Sequence, residues 1–279
     1  MLGKLLKYDL KSLSKLIFPM SLIALLATAL GCGLIAFMNS FSSGVRTSVI
    51  DIIVDMSCGM MIFFCVLALI AFGIAVQIIL IRRYYSSFFT DEGYLTFTLP
   101  VSTHSLLISK TVSAVLFSFY ACIIEFVCVI GYILTAVTCF DGIDALGQIP
   151  EELFRIISSE YGIDYISMFI TYCTLFFVGQ AVSVMIVYLS FTIGSVIATK
   201  HRVFAGIGIY LLITAIMSTL QSVVSSVVLF VFDAESSFLY ATGSWLLITL
   251  WITIVIMVTV GVVCYFIMHY LLKNKLNLS

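Results

Sequence analysis

Charge is what this chain has least of. Only 10% of its 279 residues are charged and 62% are hydrophobic, whereas an ordinary soluble domain is roughly 25% charged. A water-soluble fold of this length has no means of covering itself with so few charges, so lipid is the expected solvent for most of its surface. Other absences narrow the reading. The apolar stretches do not alternate with polar residues, which excludes a membrane β-barrel. No G-x-x-x-x-G-K-[ST] loop is present to cradle phosphates, so the chain carries no ATP-hydrolysing site of its own and is not expected to be an enzyme. There is no C-x-x-C pair and no Cys/His cluster, so neither a disulfide framework nor a metal or other cofactor is expected. Cys32, Cys65, Cys122, Cys128, Cys173 and Cys264 fall inside apolar runs, and only Cys58 and Cys139 come near run ends. They read as small, weakly polar fillers between helices. His104, His201 and His269 are far apart in sequence, which argues against a proton relay.

What is present is a set of long apolar runs. A helix needs about 20 residues to cross the roughly 30 Å hydrocarbon core. Uncharged or nearly uncharged runs of that length occupy residues 16–38, 59–81, 111–139, 166–198, 203–232 and 244–272. Backbone groups in lipid must be satisfied internally, so these runs are expected to be helices. The fold class expected is an all-α polytopic membrane protein of six transmembrane helices forming a single domain over residues 1–279. No small-residue cleavage site stands out before Asn39, so 16–38 is read as a retained span and not as a signal peptide. Pro19 is placed in the first turn of that span, where a missing N–H costs little.

The connections are unequal. All but Arg46 and Arg155 of the 13 basic residues fall before the first run, between the second and third, between the fourth and fifth, or after the sixth. Acidic residues such as Asp51, Asp55, Asp141, Asp144, Glu151, Glu152, Glu160, Asp164, Asp233 and Glu235 occupy the other connections. The positive-inside rule then puts both termini in the cytoplasm, and the plasma membrane is the expected location. The net charge of −1 gives no case for nucleic-acid binding.

Two basic-side segments look like more than tethers. In residues 1–15, Lys4, Lys7, Lys11 and Lys15 share one helical face and Leu2, Leu5, Leu6, Leu10 and Leu13 the opposite one. This predicts an amphipathic interfacial helix with its lysines toward anionic membrane lipid. Asp9 interrupts its apolar side, and faces a protein partner, pairs with a cytoplasmic basic residue, or snorkels to water. The second segment, residues 82–110, is too apolar and aromatic for a solvated linker, with Tyr84, Tyr85, Phe88, Phe89, Tyr94, Leu95, Phe97 and Leu99 in need of something to pack against. Thr90, Asp91 and Glu92 suit a helix start. Pro100 turns the chain, and Ser102 or Thr103 suits the cap of a helix running on into the third span.

The sequences Leu5-Leu6-Lys7-Tyr8-Asp9-Leu10-Lys11, Glu92-Gly93-Tyr94-Leu95-Thr96-Phe97-Thr98-Leu99-Pro100-Val101-Ser102 and Leu106-Leu107-Ile108-Ser109-Lys110 carry a resemblance. The chain resembles the permease subunits of type-2 ATP-binding-cassette transporters, particularly the small six-span permeases of Gram-positive bacteria. The resemblance implies that the amino-terminal helix lies along the inner leaflet. It also implies that residues 82–110 hold a coupling helix that docks on a separate ATPase subunit, with Asp91, Glu92, Gly93, Tyr94, Leu95, Phe97, Pro100 and His104 as candidate contacts. A second permease, identical or not, would complete the pathway at a dimer interface, and export is the expected direction. Members of the family commonly have short re-entrant helices between spans five and six; here residues 221–232 are the stretch able to supply one. The acidic outer loop is 140–165.

Within the spans, Glu125 is the one charge. An intramembrane carboxylate is costly and is expected to face protein or water. Ser118, Cys122, Glu125, Cys128 and Tyr132 follow helical spacing on one weakly polar face. Glu125 is therefore either a gating or substrate contact, or a protonated group bonded to a neighbouring helix. Gln180, Gln221, Ser222, Ser225 and Ser226 read as inserts that knit helices together. A secondary transporter, or a substrate-binding membrane component without a dedicated ATPase, is the alternative function. It requires ion sites or interrupted helices in repeated halves, and no internal repeat is visible. Glu151, Glu152 and Arg155 faintly resemble the paired-glutamate motif of intramembrane prenyl-protein proteases, with the arginine one residue too close.

Overall fold

In a computed structural model, which describes residues 2–41, 49–90, 103–140, 165–198, 201–233 and 242–274, every regular element is an α-helix. In chain order these are α1 (Leu2–Phe41), α2 (Val49–Phe89), α3 (Thr103–Phe140), α4 (Tyr165–Ile197), α5 (Arg202–Asp233) and α6 (Thr242–Asn274). All six are long and apolar enough to cross a membrane, in the order the apolar runs require. Their outer faces are apolar: Leu22, Ile23 and Leu26 on α1, Phe63, Phe64 and Ile70 on α2, and Phe204, Leu211 and Phe230 on α5 are all exposed. Such faces suit lipid and not water. The chain is a multi-pass membrane protein.

The helices are longer than the apolar runs. At 1.5 Å per residue, the 40 residues of α1 reach about 60 Å, roughly twice the hydrocarbon thickness. This corrects two expectations. The amino-terminal segment is not a separate helix, because residues 2–15 and the first span form one unbroken α1. Pro19 consequently lies well inside that helix, not in a first turn. Its missing N–H leaves the Lys15 carbonyl without its helical donor. The basic segment after span two also differs from expectation, since α2 continues through Arg82 and Arg83 to Phe89 and the connection begins only at Thr90. The helix expected to run onward from Ser102 or Thr103 is found, as α3 starts at Thr103. Residues 221–232 belong to the continuous α5 and form no separate re-entrant piece. The acidic loop, apart from its two end residues, lies outside the described residues.

Contacts divide the chain into two compact units. One comprises residues 8–80 and 116–152, and thus most of α1 and α2 with the second half of α3. Here α1 and α3 share a seam. Ser21 Oγ and Tyr120 Oη are hydrogen-bonded at 2.8 Å, and Phe18 meets the Tyr120 ring edge-on at 5.4 Å. Farther along, Tyr132 donates to the Ala27 carbonyl at 3.4 Å and covers Gly31, where a Cβ would overlap its ring. Positions rise together on both helices, so α1 and α3 run in the same direction, as first and third spans must.

The other unit comprises residues 1–7, 81–115 and 153–279. Its α4 and α5 form a hairpin, with Ala198 N–H donating to the Gly194 carbonyl at 3.0 Å and Ala205 N–H to the His201 carbonyl at 3.1 Å. The hairpin closes on two glycines. A Cβ at Gly194 would lie 2.5 Å from the Gly206 nitrogen, so the two backbones touch as small residues permit in membrane helices. On the other side, α6 packs Gly261 under Val182 of α4, and Gln221 of α5 donates to Thr253 of α6 at 2.7 Å. That last bond fulfils the knitting role expected of Gln221.

Candidate functional site

Glu125 sits on α3, and the α2 face it meets is stepped at one-turn intervals by Leu69, Gly73 and Gln77. Its carboxylate lies on Gly73, where any Cβ would overlap it. The missing side chain is what lets the acid rest against the α2 backbone. Around this contact lies a groove of about 550 Å³, lined by Leu69, Ile70, Gly73, Ile74, Gln77, Ile78, Glu125 and Val129. Glu125 is half-buried and Gln77 is exposed; the rest of the lining is carbon. The weakly polar α3 face expected from helical spacing is real. Ser118 and Cys128 are buried, and Tyr132 anchors to α1. Spacing on α3 alone gave no means of finding Gly73 and Gln77, because they come from another helix and carry no charge.

Two aromatic residues of the basic segment, Tyr84 and Phe88, are buried, whereas Tyr94, Leu95, Phe97 and Leu99 lie outside the described residues. In the second unit, Tyr84 is 1% exposed and stacks on Tyr188 of α4 with ring centroids 3.9 Å apart and planes 11° from parallel. Tyr84 Oη and Thr192 Oγ1 are 2.8 Å apart. Thr192 already spends its hydroxyl hydrogen on the Tyr188 carbonyl at 2.7 Å, so Tyr84 is the donor. Phe88 is equally buried and packs against Tyr84 at 5.1 Å. Nearby buried hydroxyls are satisfied within their own helices, as with Ser190 to the Ile186 carbonyl at 2.6 Å and Thr111 to the Leu107 carbonyl at 3.0 Å.

His104, the one described member of the coupling set, is exposed at the start of α3. Its Nδ1 is hydrogen-bonded to Tyr265 Oη of α6, and its ring lies 5.4 Å from that of His269. Two histidines far apart in sequence are therefore neighbours, whereas His201 contacts Phe204 instead. Among the described residues, no group of three or more His, Cys, Asp or Glu residues is placed to hold a metal ion. Asp91, Glu92, Gly93, Tyr94, Leu95, Phe97 and Pro100 lie outside the described residues. Of the amino-terminal set, Lys4, Lys7, Lys11 and Lys15 are exposed. Asp9 is only 5% exposed and lies in line with buried Leu13 and Ile17, so its carboxylate does not snorkel to water. The eight cysteines are all free thiols.

No family model, no curated protein and no solved structure matches this chain.

Proposed function

We propose that this chain is the membrane-spanning permease subunit of an ATP-driven transporter, an exporter that works as a dimer with a separate ATPase. The resemblance of residues 5–11 and 92–102 to type-2 permeases carries the reading. Two observations support it: six helices long enough to span a membrane, and basic residues at alternate helix ends, which favour a cytoplasmic position for both termini and for residues 90–102. Basic residues at the membrane surface also favour the anionic inner leaflet.

In this scheme ATP closes the ATPase pair, and the segment between α2 and α3 moves with it. The paired permeases then pass from an inward-facing to an outward-facing state. The long rigid ends of α2 and α3 suit the transmission of such a movement. Tyr84, with Phe88 packed on its ring, ties the end of α2 to α4, so a push on the connection reaches a second span. Cargo would pass at the interface of two permeases, because one six-helix subunit has too little interior to enclose a path.

The test asks first whether a neighbouring gene encodes an ATPase with a phosphate-binding loop, and then whether the full chain co-purifies with that ATPase, before and after replacing residues 91–99 by a Gly/Ser segment of equal length. The intact chain should retain the ATPase and drive ATP-dependent transport; the replaced chain should lose both while remaining monodisperse. Retained ATPase binding and transport after replacement would remove the coupling assignment.

A further inference from the structure

The Glu125 groove poses a question of charge balance. A carboxylate in hydrocarbon is costly unless it is paired or hydrogen-bonded. Glu125 makes no hydrogen bond to any described residue, and its one described electrostatic neighbour is Cys122. Gln77, one turn from Gly73 on the same α2 face, is the only other polar side chain of the lining. Ile70, Ile74, Ile78 and Val129 are exposed and form apolar flanks.

The possible occupants can be separated by chemistry. A bare metal cation would need six or more oxygen ligands, which one carboxylate and one amide do not supply. A neutral acyl chain would fill the apolar flanks and leave the acid unpaired. A second copy of this chain brings no cation to that depth, because no Lys or Arg lies within residues 59–81 or 111–139, and none lies in 16–38, 166–198, 203–232 or 244–272 either. An ionised Glu125 is paired, and the apolar flanks are filled at the same time, by a cation that brings its own apolar body. A volume of about 550 Å³ is within the range of small-molecule sites, roughly 300–1,000 Å³.

We propose that this groove binds a primary alkylammonium amphiphile. The ammonium donates to the Glu125 carboxylate and to the Gln77 amide oxygen, and the alkyl chain lies along Ile70, Ile74 and Ile78. Gly73 is the permissive residue, since a side chain there would displace the acid. The binding claim concerns the chain by itself. It rests on the transporter reading only where the amphiphile is taken to be cargo.

The test uses the full chain in nanodiscs of zwitterionic lipid, without ATPase. Dicyclohexylcarbodiimide modifies membrane-embedded carboxyl groups, and mass spectrometry reads the loss of unmodified Glu125, counting the N-acylurea and any dodecylamide together, because a primary amine also traps the activated carboxyl. Dodecylamine should slow that modification at least fivefold. Dodecanol at the same mole fraction should not, and dodecyltrimethylammonium, which matches the surface charge but lacks N–H donors, should protect much less. Equal protection by dodecanol would reduce the groove to an acyl-chain slot and overturn the proposal. So would equal protection by the trimethylammonium compound, no protection by the amine, or a Glu125 that is unreactive from the start because another copy covers it. Retention of tritiated dodecylamine should also fall to the level of empty nanodiscs in Glu125→Gln, with monodispersity as the folding control. The carbodiimide measurement needs no variant and stands even if that one fails to fold. Failure here leaves the ATPase co-purification untouched, and failure of co-purification leaves this binding untouched.

Discussion

Tyr84, beside two arginines at the end of a span, is of a residue type that commonly sits at the membrane interface with its hydroxyl toward water. Its place is decided by α4, which offers Tyr188 for stacking and Thr192 as an acceptor. Tyr84→Phe removes one neutral hydrogen bond and should cost about 1 kcal/mol. Tyr84→Ala also empties a buried ring site and should cost about 3–5 kcal/mol. Thermal unfolding in detergent distinguishes the two; equal losses would show that the stacked ring contributes nothing. Gly73 makes the opposite point. Gly73→Ala meets only the mobile end of Glu125, and alanine improves helix propensity by about 1 kcal/mol. The variant should therefore be at least as stable as the native chain while its Glu125 carboxyl is turned away from α2, read as a changed rate of carbodiimide modification.

Helices are held here by where their surfaces thin out. Gly194 and Gly206 bring α4 and α5 into backbone contact. A methyl at Gly194 meets backbone, which cannot rotate away as a side-chain tip can. Gly194→Ala should thus cost about 1–3 kcal/mol through overpacking. Gly208→Ala on the same α5, with nothing within 4 Å of its Cβ position, should be neutral or slightly stabilising. Paired melting curves in one detergent check the contrast, and similar losses at both positions would count against a glycine-defined hairpin. The least covered helix is α5, with 6% of its apolar window buried. Its Ser218, Ser222 and Ser226 are exposed in the single chain. Two satisfy their hydroxyls on carbonyls of α5 itself, Ser218 to Ala215 at 2.9 Å and Ser226 to Ser222 at 2.8 Å.

At the scale of the whole molecule, sidedness is the claim on which the transporter reading depends. In a chain freed of its native cysteines, Ser159→Cys should react with a membrane-impermeant maleimide on intact cells. Ser279→Cys should react only after permeabilisation. The reverse pattern would put residues 90–102 outside, beyond the reach of an ATPase. The number and order of the spanning helices and the placement of the rare charges are legible in the sequence alone. Each of these follows from a constraint along one dimension: backbone and charge are too costly to leave in hydrocarbon, so the cost is written in run lengths. The sequence did not determine which faces meet. In lipid both the packed and the exposed side of a helix are apolar, so periodicity does not separate them. Only the tertiary structure could put Gly73 under Glu125, Tyr84 on Tyr188 and His104 beside His269. It alone, too, showed the helices running on past the apolar runs, because beyond the hydrocarbon a helix continues where neighbouring helices give it something to pack against.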